Sequence, residues 1–200
     1  MPFLLRVSLP DVPGSLGRVA SAIGEAGGDI EAIEIVDKGS DGRAVDDVLL
    51  EISPGAMPDS VVSACNAIDG VEVLWINRYA AGGNLFLDLE VVEELTAQPS
   101  HAIDRVLDLL PITFRVDWAS RIAPDGTVVR ATDAAPRTLG WIGLDRPSRL
   151  EGVDDVTLLC AAPIDGDVIV LGRRGGPDFL DSELARLGHL LGLAQTISRV

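Results

Sequence analysis

The feature that most constrains this chain is a change of hydrophobic period, from two residues to about 3.6 and back, repeated within its first 78 residues. Phe3, Leu5, Val7 and Leu9 alternate with Leu4, Arg6 and Ser8, as in a strand with one well-buried face. Leu16, Val19, Ala20, Ile23 and Ala26 then recur at helical spacing until Gly27-Gly28 stops the helix. The next two runs, 29–38 and 43–52, are rich in Val, Ile and Leu, and the GSDG between them predicts a hairpin. Over 58–69, Val61, Val62, Cys65 and Ile68 share one helical face, with Pro58 suited to the helix start. Gly70 ends that helix, and Val71, Val73 and Trp75 alternate with Glu72 and Leu74 in a last strand. The order βαββαβ predicts a ferredoxin-like antiparallel sheet of four strands with both helices on one face.

The turn between the first strand and helix reads Asp11-Val12-Pro13-Gly14-Ser15-Leu16. Pro13 fixes a backbone angle, Gly14 lets a ligand approach the main chain, and the N–H groups opening the helix are anion-binding donors. The other reading of the same residues is a plain helix start, in which Asp11 or Ser15 caps those N–H groups. With Gly27-Gly28-Asp29-Ile30 after the helix, this turn makes residues 3 to about 77 resemble the ACT domain, a small regulatory fold that binds amino acids or similar metabolites. The resemblance implies an effector site lined by the turn and the start of the second strand, often across a dimer interface. Its ligand-binding residues would be Asp11, Pro13, Gly14, Ser15, Leu16, Asp29 and Ile30. Many relatives have Asn where this chain has Asp29. An ionised Asp accepts hydrogen bonds without donating them, which favours an ammonium group over a second carboxylate.

Residues 79–98 form a connecting segment. Ala80 to Asn84 has the composition of a flexible linker, and a helix over 85–98 carries Leu85, Leu89, Val92 and Leu95 on one stripe. That stripe either docks on a partner subunit or is buried within the chain. In residues 99–200 a helix is predicted over 102–110, strands over 113–122, 127–131, 156–162 and 168–172, and a long closing helix. Leu180, Leu184, Leu187, Leu191 and Ala194 form its stripe, with Asp181 as N-cap and Glu183 in the first turn. The layout is α+β. Its tail, a strand VIVLGRRGG followed by PDFLDSELARL, is similar to the end of many GAF domains. This implies a GAF-like antiparallel sheet with flanking helices, a binding and dimerisation module whose contact residues are too variable to assign.

Composition narrows the function. The net charge is -15, with 13 acids and 5 bases in residues 1–78 and 18 acids and 11 bases in residues 79–200, so neither part is a basic nucleic-acid module. A hydrophobic content of 47% is enough for packed cores. No uncharged apolar stretch approaches the ~18 residues that span a bilayer, and the N-terminus lacks a secretory pattern, so a cytoplasmic protein with no membrane segment is expected. Cys65 and Cys160 are expected as buried free thiols, without zinc-type spacing.

No catalytic constellation emerges. His101 and His189 are isolated, and no phosphate loop, nucleophile elbow or dinucleotide fingerprint occurs. The run Gly172 to Gly176 (GRRGG) reads as a solvated loop rather than an anion grip. Asp46-Asp47 and Asp154-Asp155 read as solvated strand edges, and Trp118 and Trp141 as core. The expectation is a non-catalytic regulatory sensor without cofactor or metal, binding an amino acid or related small metabolite as a homo-oligomer, a dimer above all. The alternative is a ligand-free scaffold that regulates a protein partner.

Overall fold

The computed structural model of the chain describes residues 2–78, 83–152, 154 and 156–200, which fall into two units, residues 1–81 and 82–200. The first contains β1 (Pro2–Pro10), α1 (Ser15–Glu25), β2 (Gly28–Lys38), β3 (Arg43–Ile52), α2 (Pro58–Asn66) and β4 (Glu72–Arg78). The sheet order is β2-β3-β1-β4 and every neighbouring pair is antiparallel. Val19 and Ile23 of α1 and Val61 and Cys65 of α2 close over Leu5, Val7, Val48 and Leu50, as the two periodicities require. This α+β, ferredoxin-like order is the one read from the sequence.

The paired acids correct one expectation. Asp46 is 2% exposed and Asp47 4%, so neither is a solvated edge. β3 is an inner strand, flanked by β1 and β2. Alternation along it puts Asp46 on the face of Val48 and Leu50, and turns Asp47 to the opposite face. There the Arg6 guanidinium, itself 4% exposed, donates to both Asp47 oxygens at 2.7 and 2.9 Å. A charge in the centre of β1 is tolerated because it is paired in a bidentate geometry.

The second unit contains α3 (Gly83–Ala97), α4 (Ala102–Phe114), β5 (Trp118–Ile122), β6 (Val128–Ala131), β7 (Ser148–Leu150), β8 (Thr157–Ile164), β9 (Asp167–Arg174) and α5 (Asp181–Ile197). Its antiparallel sheet has the order β6-β5-β9-β8-β7. One face packs Ile169 and Leu171 against Leu95 of α3, Leu107 and Leu110 of α4 and Leu187 and Leu191 of α5. The other face, with Trp118, Ile122 and Val170, meets Ala135, Leu139 and Leu144 from the segment between β6 and β7.

Several local readings change here. The linker expected at 80–84 lies partly outside the described residues, and Gly83 and Asn84 belong to α3. Among the described side chains of α3, Leu95 of the expected stripe is buried together with Val91, while Leu89 is 54% exposed. Polar anchors hold the helix as well: Asp88 accepts from Arg186 of α5, and Glu94 accepts from Arg105 of α4 at 2.6 Å. The strand expected from Thr113 starts only at Trp118, because α4 runs through Pro111 to Phe114, whose ring is buried in the core. β7, three residues long, was not anticipated. Leu180, not Asp181, is the N-cap of α5, and its N–H donates to the Glu183 carboxylate at 2.8 Å. The GRRGG run is not a solvated loop at Arg173, which lies in β9, is buried, and donates to the carbonyls of Phe114 and Pro177 and to Glu183. Trp118 is core, as expected, whereas Trp141 is 42% exposed. Asp154 accepts from the N–H groups of Val156 and Thr157, and Asp155 lies outside the described residues.

Candidate functional site

Main-chain hydrogen bonds shape the turn after β1. The Asp11 N–H donates to the Gly42 carbonyl at 2.9 Å, tying the turn to the β2–β3 hairpin, and the Val12 N–H donates to the Pro10 carbonyl at 2.9 Å. Gly14 is the N-cap of α1, with φ 90° and ψ -12°. That backbone angle is what requires glycine here, since a β-carbon at this position would meet no atom within 4 Å. The space over the turn is open.

Neither residue proposed as a cap performs that role. No side chain caps α1. Asp11 instead pairs with Lys38 at 3.2 Å on the surface, and Ser15 is 1% exposed, its hydroxyl accepting from Arg18 at 3.4 Å. The Ser15 N–H donates to the Val12 carbonyl at 3.2 Å and the Arg18 N–H to the Gly14 carbonyl at 3.2 Å, which leaves the amides of Leu16 and Gly17 to solvent or to a ligand. From Gly14 a groove of about 680 Å³ runs between α1 and α2, lined by Gly17, Arg18 and Ser21 on one side and Ala64 and Ala67 on the other. Gly17, Ser21, Ala64 and Ala67 are small, so the two helices do not fill it.

The expected site residues fall into two groups. Asp11, Pro13, Gly14, Ser15 and Leu16 are together at the turn. Asp29 and Ile30 are not with them: they pair with Glu51 and Leu50, near the far end of β3. From Gly42 to Glu51 is nine residues, about 30 Å of strand. Within one chain these groups do not share a site.

Asp46 and Lys38 were missed by sequence reasoning. Asp46 lies in register with Val7 of β1 and Ile35 of β2, toward the same end of β3 as the turn. Its Oδ1 is buried without a hydrogen-bond partner. Burial pushes its pKa up from 3.8; the negative charge of Asp11 adds to the shift, and Lys38 opposes it. The signal available in sequence was weak: the one lysine of the chain ends the strand that faces the turn across the hairpin.

In the second unit a groove of about 470 Å³ lies between β7 and α5, lined by Arg146, Pro147, Arg149, Asp181 and Leu184. Arg149 is held by Asp181 at 2.7 Å. His101 and His189 are exposed on separate elements, and Cys65 and Cys160 are buried free thiols. Among the described residues no three His, Cys, Asp or Glu side chains converge to hold a metal ion, and no helix is long and apolar enough to cross a membrane.

Residues 3–55 match the ACT domain family, a stretch that covers β1 to β3 and ends before α2. No curated protein matches the chain. Among solved structures, it is similar to a formyltetrahydrofolate deformylase from Pseudomonas putida KT2440, at 12% identity and a TM-score of 0.31, over 49% of this chain and 39% of that one. It is also similar to an unknown protein from Galdieria sulphuraria, at 13% identity and a TM-score of 0.35, over 99% of this chain and 91% of the other. A third similar structure is assigned as a glycine cleavage system transcriptional repressor, at 11% identity and a TM-score of 0.31, over 93% and 87% of the two chains. All three superpositions are loose.

Proposed function

We propose that the first unit is a regulatory ACT domain that binds an amino acid or related small metabolite at the β1–α1 turn, across an interface between two copies of the chain. The protein is a non-catalytic, cytoplasmic sensor, and its second unit is a GAF-like module. The observation that carries this reading is the start of α1, where Gly14 takes a left-handed conformation under open space and no side chain caps the helix. Main-chain donors at an uncapped helix N-terminus suit a ligand carboxylate. The separation of Asp29 and Ile30 from the turn is answered when a second copy brings its own β2 start to the first copy's turn. The antiparallel sheet with helices on one face favours the GAF-like reading of the second unit. Signalling is a population shift: a ligand between copies favours one arrangement of the dimer, and α3, which follows the ACT unit, passes the change on.

A thermal-shift screen of the full chain against amino acids, nucleotides and common carboxylates tests it. A ligand at about a hundred times its dissociation constant stabilises by about 2.7 kcal/mol, a midpoint rise of about 5–10 °C for a chain of this length. The rise disappears in Gly14→Val, which strains the left-handed turn and fills the space over it. A ligand that binds this variant unchanged places the site elsewhere.

One observation favours the scaffold reading. β2 is an edge strand and exposes Ile33 at 37% and Ile35 at 51%. An edge of this kind is a surface for association. Under that reading the screen is flat, Gly14→Val behaves as the parent chain, and Ile35→Lys breaks the oligomer.

A further inference from the structure

One guanidinium joins three helices of the second unit. Arg186, in the second turn of α5, donates from Nε and Nη2 to the Asp88 carboxylate of α3 at 2.6 to 3.0 Å, and from Nη2 to the Thr113 carbonyl of α4 at 3.2 Å. It also lies 4.6 Å from the centre of the Phe114 ring. α3 is fastened differently along its length. From Val91 onward it buries Val91 and Leu95 in the core and pairs Glu94 with Arg105 of α4. Before Val91 none of the described side chains is buried, and Phe86 and Leu89 are each 54% exposed. Asp88 supplies the polar anchor of these first two turns, where the later turns have apolar burial.

Losing Asp88 does not strand the arginine. The last carbonyls of α4, Thr113 and Phe114, accept from Arg186 and Arg173 and form the negative end of that helix. Arg186 thus keeps a carbonyl, a dipole and an aromatic face when the carboxylate leaves. An ion pair whose cation has a second home opens at lower cost than one that leaves a charge bare.

We infer that the Asp88–Arg186 pair is a latch: when it opens, the first two turns of α3 release from α4 and α5 as a unit, while the turns from Val91 onward stay packed. The latched turns are those that follow β4 in the chain, so a change in the first unit reaches the second at this pair. That coupling rests on the first unit being a ligand-responsive domain; the latch itself does not.

Hydrogen–deuterium exchange of the full chain, read by mass spectrometry, tests it. A helix leaves its first four N–H groups unbonded, so the amides of residues 87–90 report on the first two turns. Asp88→Asn keeps the shape of the side chain and removes its charge. Exchange over 87–90 is expected to rise about tenfold or more in this variant, while exchange over 93–97 changes by less than about twofold. Glu90→Gln, which removes an exposed acid from the same turns, leaves both stretches as in the parent. No rise over 87–90, an equal rise over both stretches, or the same rise in Glu90→Gln overturns the latch. Exchange is then measured with each of the twenty amino acids. One that raises the unfolding midpoint is expected to change exchange over 87–90 about threefold or more in the parent and not in Asp88→Asn. A raised midpoint without that response overturns the coupling. If no amino acid raises the midpoint while Asp88→Asn still exposes 87–90, the amino-acid reading falls and the latch stands.

Discussion

Replacing Asp46 with asparagine keeps the volume and shape of the side chain and removes a charge that is 2% exposed and has no hydrogen-bond donor at Oδ1. Burial and the nearby Asp11 raise its pKa in the native state above the ordinary 3.8, which is close to the value in the unfolded chain. The sign follows directly. At a pH between the two values the native state holds a proton that the unfolded state has lost, so stability falls as pH rises through this window. Well below about pH 4 both states are protonated and parent and variant differ little. Above the raised value the parent bears the full cost of an unsatisfied buried charge, about 1–3 kcal/mol or somewhat more. For a chain of this length that is a midpoint difference of about 2–10 °C in favour of Asp46→Asn. Thermal unfolding of both proteins, followed by circular dichroism in steps from about pH 4 to about pH 8, measures the gap directly. A gap that stays constant with pH, or a variant less stable than the parent at neutral pH, would refute the reasoning, because it would mean that Asp46 is satisfied as a carboxylate.

Further outcomes concern the packing of each unit. Asp47→Ala leaves Arg6 buried beside an empty place and costs about 3–5 kcal/mol in urea unfolding, most of which the double replacement of Arg6 and Asp47 by leucine restores. Gly172→Ala puts a methyl group into the indole of Trp118 across the β5–β9 pair; the expected loss is about 1–3 kcal/mol, with a red shift in tryptophan emission as the ring is forced outward. Cys65 and Cys160 resist an aromatic disulfide reagent at neutral pH and react only on unfolding, since burial pushes both thiols up, Cys160 to about 12; fast labelling of the native chain would contradict this burial.

The order of elements in the first unit was legible because each change of period coincides with a chemical stop. Gly27-Gly28 ends the pattern of Val19 and Ile23, Gly42 turns the hairpin, and Pro58 opens α2. In the second unit such signals conflict. Ile112-Thr113-Phe114 after a proline has the composition of a strand start, yet the core closes only when Phe114 continues α4, so tertiary packing overrides local preference. On α3 the apolar count alone selected a stripe through Leu89. The helix is also held by Asp88 and Glu94 reaching arginines on α5 and α4, partners 98 and 11 residues away. Periodicity carries no information about such distant polar pairs.

The turn itself was legible, since Asp11 to Leu16 is one continuous stretch whose backbone needs show in Pro13 and Gly14. Its floor was not. Whether Asp46 and Asp47 are solvated depends on whether β3 is an inner or an edge strand, and strand order is a tertiary fact. Once β3 lies between β1 and β2, alternation leaves only one question, which of the two acids meets a partner. Arg6 answers for Asp47 because both point to the same face from registered positions of β1 and β3. Asp46, on the other face, shares it with Val7, Val48 and Leu50, which supply no donor. The same alternation that buries the core thus leaves a carboxylate oxygen among apolar side chains.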